Sequence, residues 1–181
     1  IRLQAKKTLD AMKEAIKEGL SSTELSPSGM SGDDCDRLQK RYSNNRSILG
    51  TTAEKIMKYA LATSEQNLRM GTIAACPTAG SCGIVPSVLV AYAQDNKIKE
   101  DAEINALITA GEVGRIISNK MALAGAVGGC QAECGVASAM AAAALTQMRG
   151  GTVKQIINAS ALALKNVLGL TCDPVCGLVE I

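Results

Sequence analysis

Two cysteines in this sequence stand where glycines break the chain. Cys130 follows Gly128-Gly129, and Cys172 lies three residues past Gly169 and directly before Asp173-Pro174. Glycine ends helices in a left-handed conformation, and Asp-Pro bars immediate re-entry, because proline lacks an amide donor and restricts its predecessor. Each thiol is therefore expected in a short turn at a helix end, with little side-chain bulk around it. Thiols so placed can converge on a metal, and soft sulfur suits zinc, copper or an iron–sulfur cluster. Spacing alone does not choose between them, since Cys130/Cys134 and Cys172/Cys176 are each C-x3-C, the spacing of neither a ribbon nor a finger. The chain has no histidine. Zinc would then need several cysteines or carboxylates, and no Ser-His-Asp or Cys-His arrangement can be built from this chain alone.

Two further stretches carry hydroxyls and glycines in place of bulk. In Cys76-Pro77-Thr78-Ala79-Gly80-Ser81-Cys82-Gly83 the proline and glycines break regular structure. Thr78, Ser81 and Gly83 then stand just before a helix, whose positive end favours a carboxylate. Cys76 and Cys82 fit better as buried small hydrophobes than as ligands. Ser26, Ser28, Gly29, Ser31, Gly32 and Asp33 form a second loop suited to a small anion, although a plain surface loop has the same composition. Lys120 lies in an apolar context with Glu112 and Arg115; a buried lysine can act as a base, whereas Glu112 and Arg115, three apart, can pair on a surface.

The elements that must position these residues are helices. Leu9, Met12, Ile16 and Leu20 repeat at helical spacing over 1–19, with Lys6, Lys7, Lys13, Glu14 and Lys17 on a solvated face and Gly19 as the end. Residues 21–50 show no periodicity. Thr51-Thr52-Ala53-Glu54 reads as a capping box opening a helix to about 68, closed by Gly71. Helices follow over about 85–94, 100–123 and 131–148, the last ended by Gly150-Gly151. Thr152-Val153-Lys154-Gln155 is a second capping box, opening a helix to Leu168. Gly111, Gly114 and Gly125 mark kinks or close contacts. No alternating strand pattern of useful length occurs, so the fold class is mainly α: a multi-helix globular domain with Gly-rich loops and no substantial sheet.

Composition narrows the function classes. With 19 basic and 17 acidic residues the net charge is +2, and aromatic content is 2%, so neither a basic surface nor stacking platforms for nucleic acid are present. The Ala-rich stretch 121–146 includes Gln131 and Glu133 and supplies little transfer energy, which argues against a membrane span. No basic start followed by an apolar run marks a signal peptide. A reducing, cytoplasmic setting is therefore expected, and for the seven cysteines a disulfide framework is the weaker reading.

Gly129-Cys130-Gln131-Ala132-Glu133-Cys134-Gly135-Val136-Ala137 and the small residues after it resemble the signature of iron–sulfur-dependent L-serine dehydratases. Asn166-Val167-Leu168-Gly169-Leu170-Thr171-Cys172-Asp173-Pro174 resembles the same family. So do Cys76–Gly83, similar to the substrate loop of the two-subunit enzymes, and Ser28-Gly29-Met30-Ser31-Gly32-Asp33, similar to a loop of their α-subunit. Val127 departs from the acidic residue that often precedes the cluster cysteine. The resemblance implies a single cluster-binding catalytic α domain over 1–181, a lyase that converts L-serine to pyruvate and ammonia. It implies a [4Fe-4S] cluster held by Cys130, Cys172 and a third cysteine just past Ile181, before which the chain is truncated. Ser28, Gly29, Gly32, Asp33, Thr78, Ala79, Gly80 and Ser81 would bind substrate, and the main base would come from a β-subunit or β-domain, with Lys120 the candidate on this chain. Pyridoxal phosphate is not expected, nor is a nucleic-acid or membrane partner, and a homo-oligomer is. The competing class is a non-enzymatic helical subunit whose cysteines bind zinc or only pack.

Overall fold

The computed structural model describes residues 1–44 and 47–169, and among them the chain forms seven helices and no strand. In order these are α1 (Arg2–Ser21), α2 (Asp34–Asn44), α3 (Thr51–Leu68), α4 (Ile84–Asp95), α5 (Glu100–Ser118), α6 (Gly125–Met148) and α7 (Val153–Asn166). The mainly α expectation holds. The helix α4 is apolar on nearly every face, which fits only an interior element. It buries Val85, Pro86, Leu89, Val90, Ala91 and Ala93 and packs against α1, α3, α5 and α6. Around it, α1 lies on α3 and α5, and α6 runs between α5 and α7.

A core with almost no aromatic residues must reach close packing by bringing backbones together. Glycines and alanines do this here. Gly19 does not end α1, which runs on to Ser21; instead it is the contact with α3, where an added Cβ would lie 2.1 Å from the Ala62 carbonyl oxygen. Gly114 of α5 faces Met140 of α6, with a Cβ there 2.8 Å from the sulfur. Along α6 the buried positions are mostly alanine, among them Ala132, Ala137, Ala139, Ala141, Ala143 and Ala144.

Several expected boundaries shift for local reasons. The stretch 21–50 contains α2, held by a narrow stripe in which Cys35 is fully buried. The expected capping box at 51–54 does not form: Gly50 is the N-cap, with no side-chain cap bond. The Glu54 carboxylate reaches back to the Ser47 amide instead. The box at Thr152 does form, with Gln155 donating its amide to the Thr152 hydroxyl and accepting from the Thr152 amide. After α3 it is Met70, at φ 63°, that takes the left-handed turn, ahead of Gly71. The charged face of α1 is also more than solvated surface. Arg2 pairs with Asp101, Lys6 with Glu100 and Lys13 with Glu103, each at 2.8 Å, so basic residues meet the acidic first turn of α5.

These contacts make two glycines behave oppositely. Replacing glycine by alanine inside a helix gains about 0.8–1 kcal/mol of propensity. At Gly111, where nothing lies within 4 Å of an added Cβ, Gly111→Ala raises unfolding free energy by about that amount. At Gly19 the overlap is with backbone, so Gly19→Ala lowers it by about 1–3 kcal/mol despite the propensity gain. Chemical denaturation of the two variants against the parent checks both signs.

Candidate functional site

The C-terminal end of α3 gathers the two hydroxyl-rich loops. Glu65 and Arg69 form an ion pair of 2.9 Å with side chains only 3% and 6% exposed. Arg69 donates from Nε to the Glu24 carbonyl at 2.7 Å and from Nη2 to the Gly32 carbonyl at 3.1 Å. The other oxygen of Glu65 accepts from the Cys35 amide at 3.0 Å, at the start of α2. Loop 26–33 is thus strung between two anchored ends. Inside it, Ser26 donates its amide to the Ser31 carbonyl at 2.7 Å, and the hydroxyls of Ser26 and Ser28 lie 2.9 Å apart. Gly29 and Gly32 take φ of +74° and +135°; a Cβ at Gly32 would lie 2.3 Å from the Glu24 oxygen, so only glycine closes this turn. Asp33 stands at the mouth of α2, with Arg37 at 4.0 Å.

Two residues before Arg69, the Asn67 amide donates to the Ala79 carbonyl at 3.3 Å, tying the second loop to the same helix end. Within loop 76–83, whose Cys76–Pro77 bond is cis, the Cys82 amide donates to Ala79 and the Ile84 amide to Ser81. The amides of Gly80 and Ser81 donate to no acceptor among the described residues. Gly80 is exposed and Ser81 buried. Gly83 acts as a spacer on α3: a Cβ there would lie 2.7 Å from the Ala60 carbonyl oxygen and 2.8 Å from the Ser64 hydroxyl.

The third part is the start of α6. The helix is broken at Gly129, with φ 75° and ψ 169°, so Cys130 opens its long straight portion, as the paired glycines led one to expect. Residues 126–129 are exposed and Cys130 is half-buried. Among the described residues nothing lies within 4 Å of a Cβ placed at Gly129. Cys172 lies outside the described residues, and among the described residues no three His, Cys, Asp or Glu side chains gather as a metal site.

One turn along α6 from Cys130, Glu133 reaches the substrate-type loop. Its Oε2 accepts a hydrogen bond of 2.5 Å from the Thr78 hydroxyl, which in turn lies 3.0 Å from the Ser81 hydroxyl. This carboxylate links two of the motifs recognised in the sequence, and reasoning from sequence left it unassigned, as it did Arg69 and Asn67. A signal for Glu133 was present: it lies three residues after Cys130 on a helix, hence on the same side. Lys120 is exposed in the turn after α5, its amide bonded to the Ile117 carbonyl at 2.8 Å, with no ion pair among the described residues. Glu112 and Arg115 pair with each other at the surface through two bonds of 2.9 and 2.5 Å.

The remaining described thiols are packing groups. Burial pushes Cys35 up to about 11, Cys76 to about 12 and Cys82 to about 11; burial, and then neighbouring Glu133, raises Cys134 as well. The Cys35 thiol donates to the Lys58 carbonyl at 3.5 Å and Cys82 to the Thr63 carbonyl at 3.8 Å. No described helix is long and apolar enough to cross a membrane.

A family model described as serine dehydratase alpha chain matches residues 1–181. A probable L-serine dehydratase alpha chain of Bacillus subtilis is 44% identical over 173 residues, covering 96% of this chain and 57% of that protein. The L-serine dehydratase alpha chain of Peptoniphilus asaccharolyticus is 41% identical over 180 residues, covering 99% of this chain and 62% of its own length. The L-serine dehydratase TdcG of Escherichia coli is 43% identical over 127 residues, which is 70% of this chain and 28% of that protein. The chain therefore spans about three fifths of the two alpha chains.

The buried thiols fix a pH dependence. An ordinary cysteine ionises near 9.0, whereas Cys35, Cys76 and Cys82 hold their protons to about 11 or 12. Between those values the unfolded chain has lost protons that the folded chain keeps, so stability falls as pH rises. Folding free energy is unaffected by these groups below about pH 9 and declines toward about pH 11, which denaturation curves across that range measure.

Proposed function

The chain belongs to the serine dehydratase alpha-chain family, and from that premise we propose that it is the cluster-binding part of an enzyme that converts L-serine to pyruvate and ammonia. The observation that carries this reading is the contact between Glu133 and Thr78, which seats the hydroxyl-rich loop one helical turn from Cys130. Cys130 and Cys172, with a third cysteine beyond Ile181, would hold a [4Fe-4S] cluster. The exposed glycine turn that precedes Cys130 suits such a group. When bound, it supplies a Lewis acid that eases departure of the substrate's β-hydroxyl.

The chain's own residues would bind and orient. The Gly80 and Ser81 amides, with no partner among the described residues, suit the substrate carboxylate at the approach to α4. Ala79 is fixed by Asn67, so those amides are presented without a further ordering cost. Loop 28–33, with Ser28, Gly29, Gly32 and Asp33, closes a second side through its tie to Arg69. Removal of the α-proton and loss of the β-hydroxyl as water give aminoacrylate, and its hydrolysis gives pyruvate and ammonia. The main base is assigned to the β-part of the enzyme; Lys120 is the base candidate on this chain. The enzyme would act in the cytoplasm as an assembly with its β-part. A non-enzymatic subunit is the competing reading, and the burial of Cys35, Cys76 and Cys82 favours its packing role for those three thiols alone.

Anaerobic iron–sulfur reconstitution of the whole enzyme, followed by a pyruvate assay on L-serine, tests this. Visible thiolate-to-iron absorbance and pyruvate should appear together, and Cys130→Ala should abolish both; stoichiometric zinc with no pyruvate would favour the non-enzymatic subunit. General-base catalysis is worth about 100- to 10,000-fold, so Lys120→Ala costs less than about tenfold if the base sits on the partner. A loss in the full range would move the base to Lys120.

A further inference from the structure

Among the described residues Glu133 is a half-buried carboxylate with no cation. The buried acid at the end of α3 has one, since Glu65 pairs with Arg69. Glu133 instead accepts one hydrogen bond, on Oε2 from Thr78. Its Oε1 accepts none among the described residues. That oxygen sits against two glycines, whose lack of side chains lets it lie there, since a Cβ added at Gly80 or at Gly125 would each lie 2.8 Å from it. Oε1 is not among the buried unpartnered atoms, so it is an accessible acceptor that an incoming cation can reach, and an ammonium there gains a charge-assisted bond.

The hydroxyls beside it have the same polarity. A carboxylate can only accept, so the Thr78 proton must point at Glu133. Ser81, 3.0 Å away, then donates to the Thr78 oxygen. The loop therefore offers acceptors at this end, a carboxylate oxygen and a threonine lone pair, and keeps its amide donors for Gly80 and Ser81. Thr78 was expected to serve the substrate's carboxylate by donating its hydroxyl; its proton is already committed.

We infer that Glu133 receives the α-ammonium of the amino-acid substrate, its Oε1 accepting from the ammonium between Gly80 and Gly125 while Thr78 holds the carboxylate in place. The inference rests on the amino-acid substrate of the proposed function and adds the group that recognises the amine. It makes Glu133 a specificity residue for amino acids over hydroxy acids of the same shape.

The test compares two small ligands by calorimetry on the whole enzyme: L-alanine, which has the ammonium but no β-hydroxyl to lose, and L-lactate, which carries a hydroxyl in its place. Glu133→Gln keeps the side chain's size and an oxygen for Thr78 while removing the charge. Charge-assisted bonds of this kind are worth about 10- to 100-fold in affinity. Alanine binding should weaken by that factor in Glu133→Gln, lactate binding should change less than about twofold, and the KM for L-serine should rise with alanine's Kd while kcat changes less. Gly80→Ala, which pushes the carboxylate aside, should reproduce the loss for alanine. Equal weakening of both ligands, or of neither, overturns the inference, as does a loss confined to kcat. If the parent enzyme makes no pyruvate yet alanine binding still depends on Glu133, the ammonium site stands and the dehydratase reading falls. If serine turnover is unchanged in Glu133→Gln, the inference falls and the reading stands.

Discussion

A buried ion pair at the end of α3 holds the site together. Removing Glu65 and Arg69 from water costs several kcal/mol per ion unless every hydrogen-bonding position is used. Here the Cys35 amide on one side and the Glu24 and Gly32 carbonyls on the other offset part of that cost, while Nη1 of Arg69 is buried with no partner among the described residues. The path of residues 24–35 therefore follows from where a planar guanidinium needs its acceptors. Asn67, on the same turn, grips Ala79 of the second loop, which Glu133 and the Thr63 carbonyl also hold. Neither loop is organised by its own hydrogen bonds alone.

The second constraint is the scarcity of large side chains. With no tryptophan or phenylalanine and three tyrosines, interior volume is filled by alanine, valine, leucine and methionine, and close approach of helices replaces bulk. Where α6 meets its neighbours, Gly114 fits against Met140 and Gly135 against Leu164 and Val167. The break at Gly129 comes where this packing ends, so the thiol is carried at the edge of a rigid body rather than on a loose segment. Rigid support of that kind is what a positioned ligand needs.

Much of this was legible in the sequence. The long helices announced themselves by period, and Gly129, Gly150 and Gly169 all take positive φ where they were expected to break the chain. The helix α2 was not legible, because its inner stripe is Cys35, Leu38, Gln39 and Tyr42, too polar to stand out. The 51–54 capping box failed because Gly50 took the cap and Ser47 took Glu54, a contest among neighbours that a motif does not reveal. The site was legible as separate motifs only. Joining them needed Arg69, Asn67 and Glu133, whose partners lie far along the chain: 45 residues separate Arg69 from Glu24 and 55 separate Thr78 from Glu133.

The one-way hydroxyl of Thr78 has a consequence for handedness. A loop with amide donors at one end and a carboxylate at the other is polar along its length, and a zwitterion can lie along it in only one direction. Fixing both charged groups of an α-amino acid leaves its side chain and its α-hydrogen to occupy two non-equivalent directions. Mirror images exchange those two, so on the proposed reading only one enantiomer turns its β-carbon toward Cys130. The two charged groups alone cannot distinguish the hands, so the direction of Cys130 would be the third point that does.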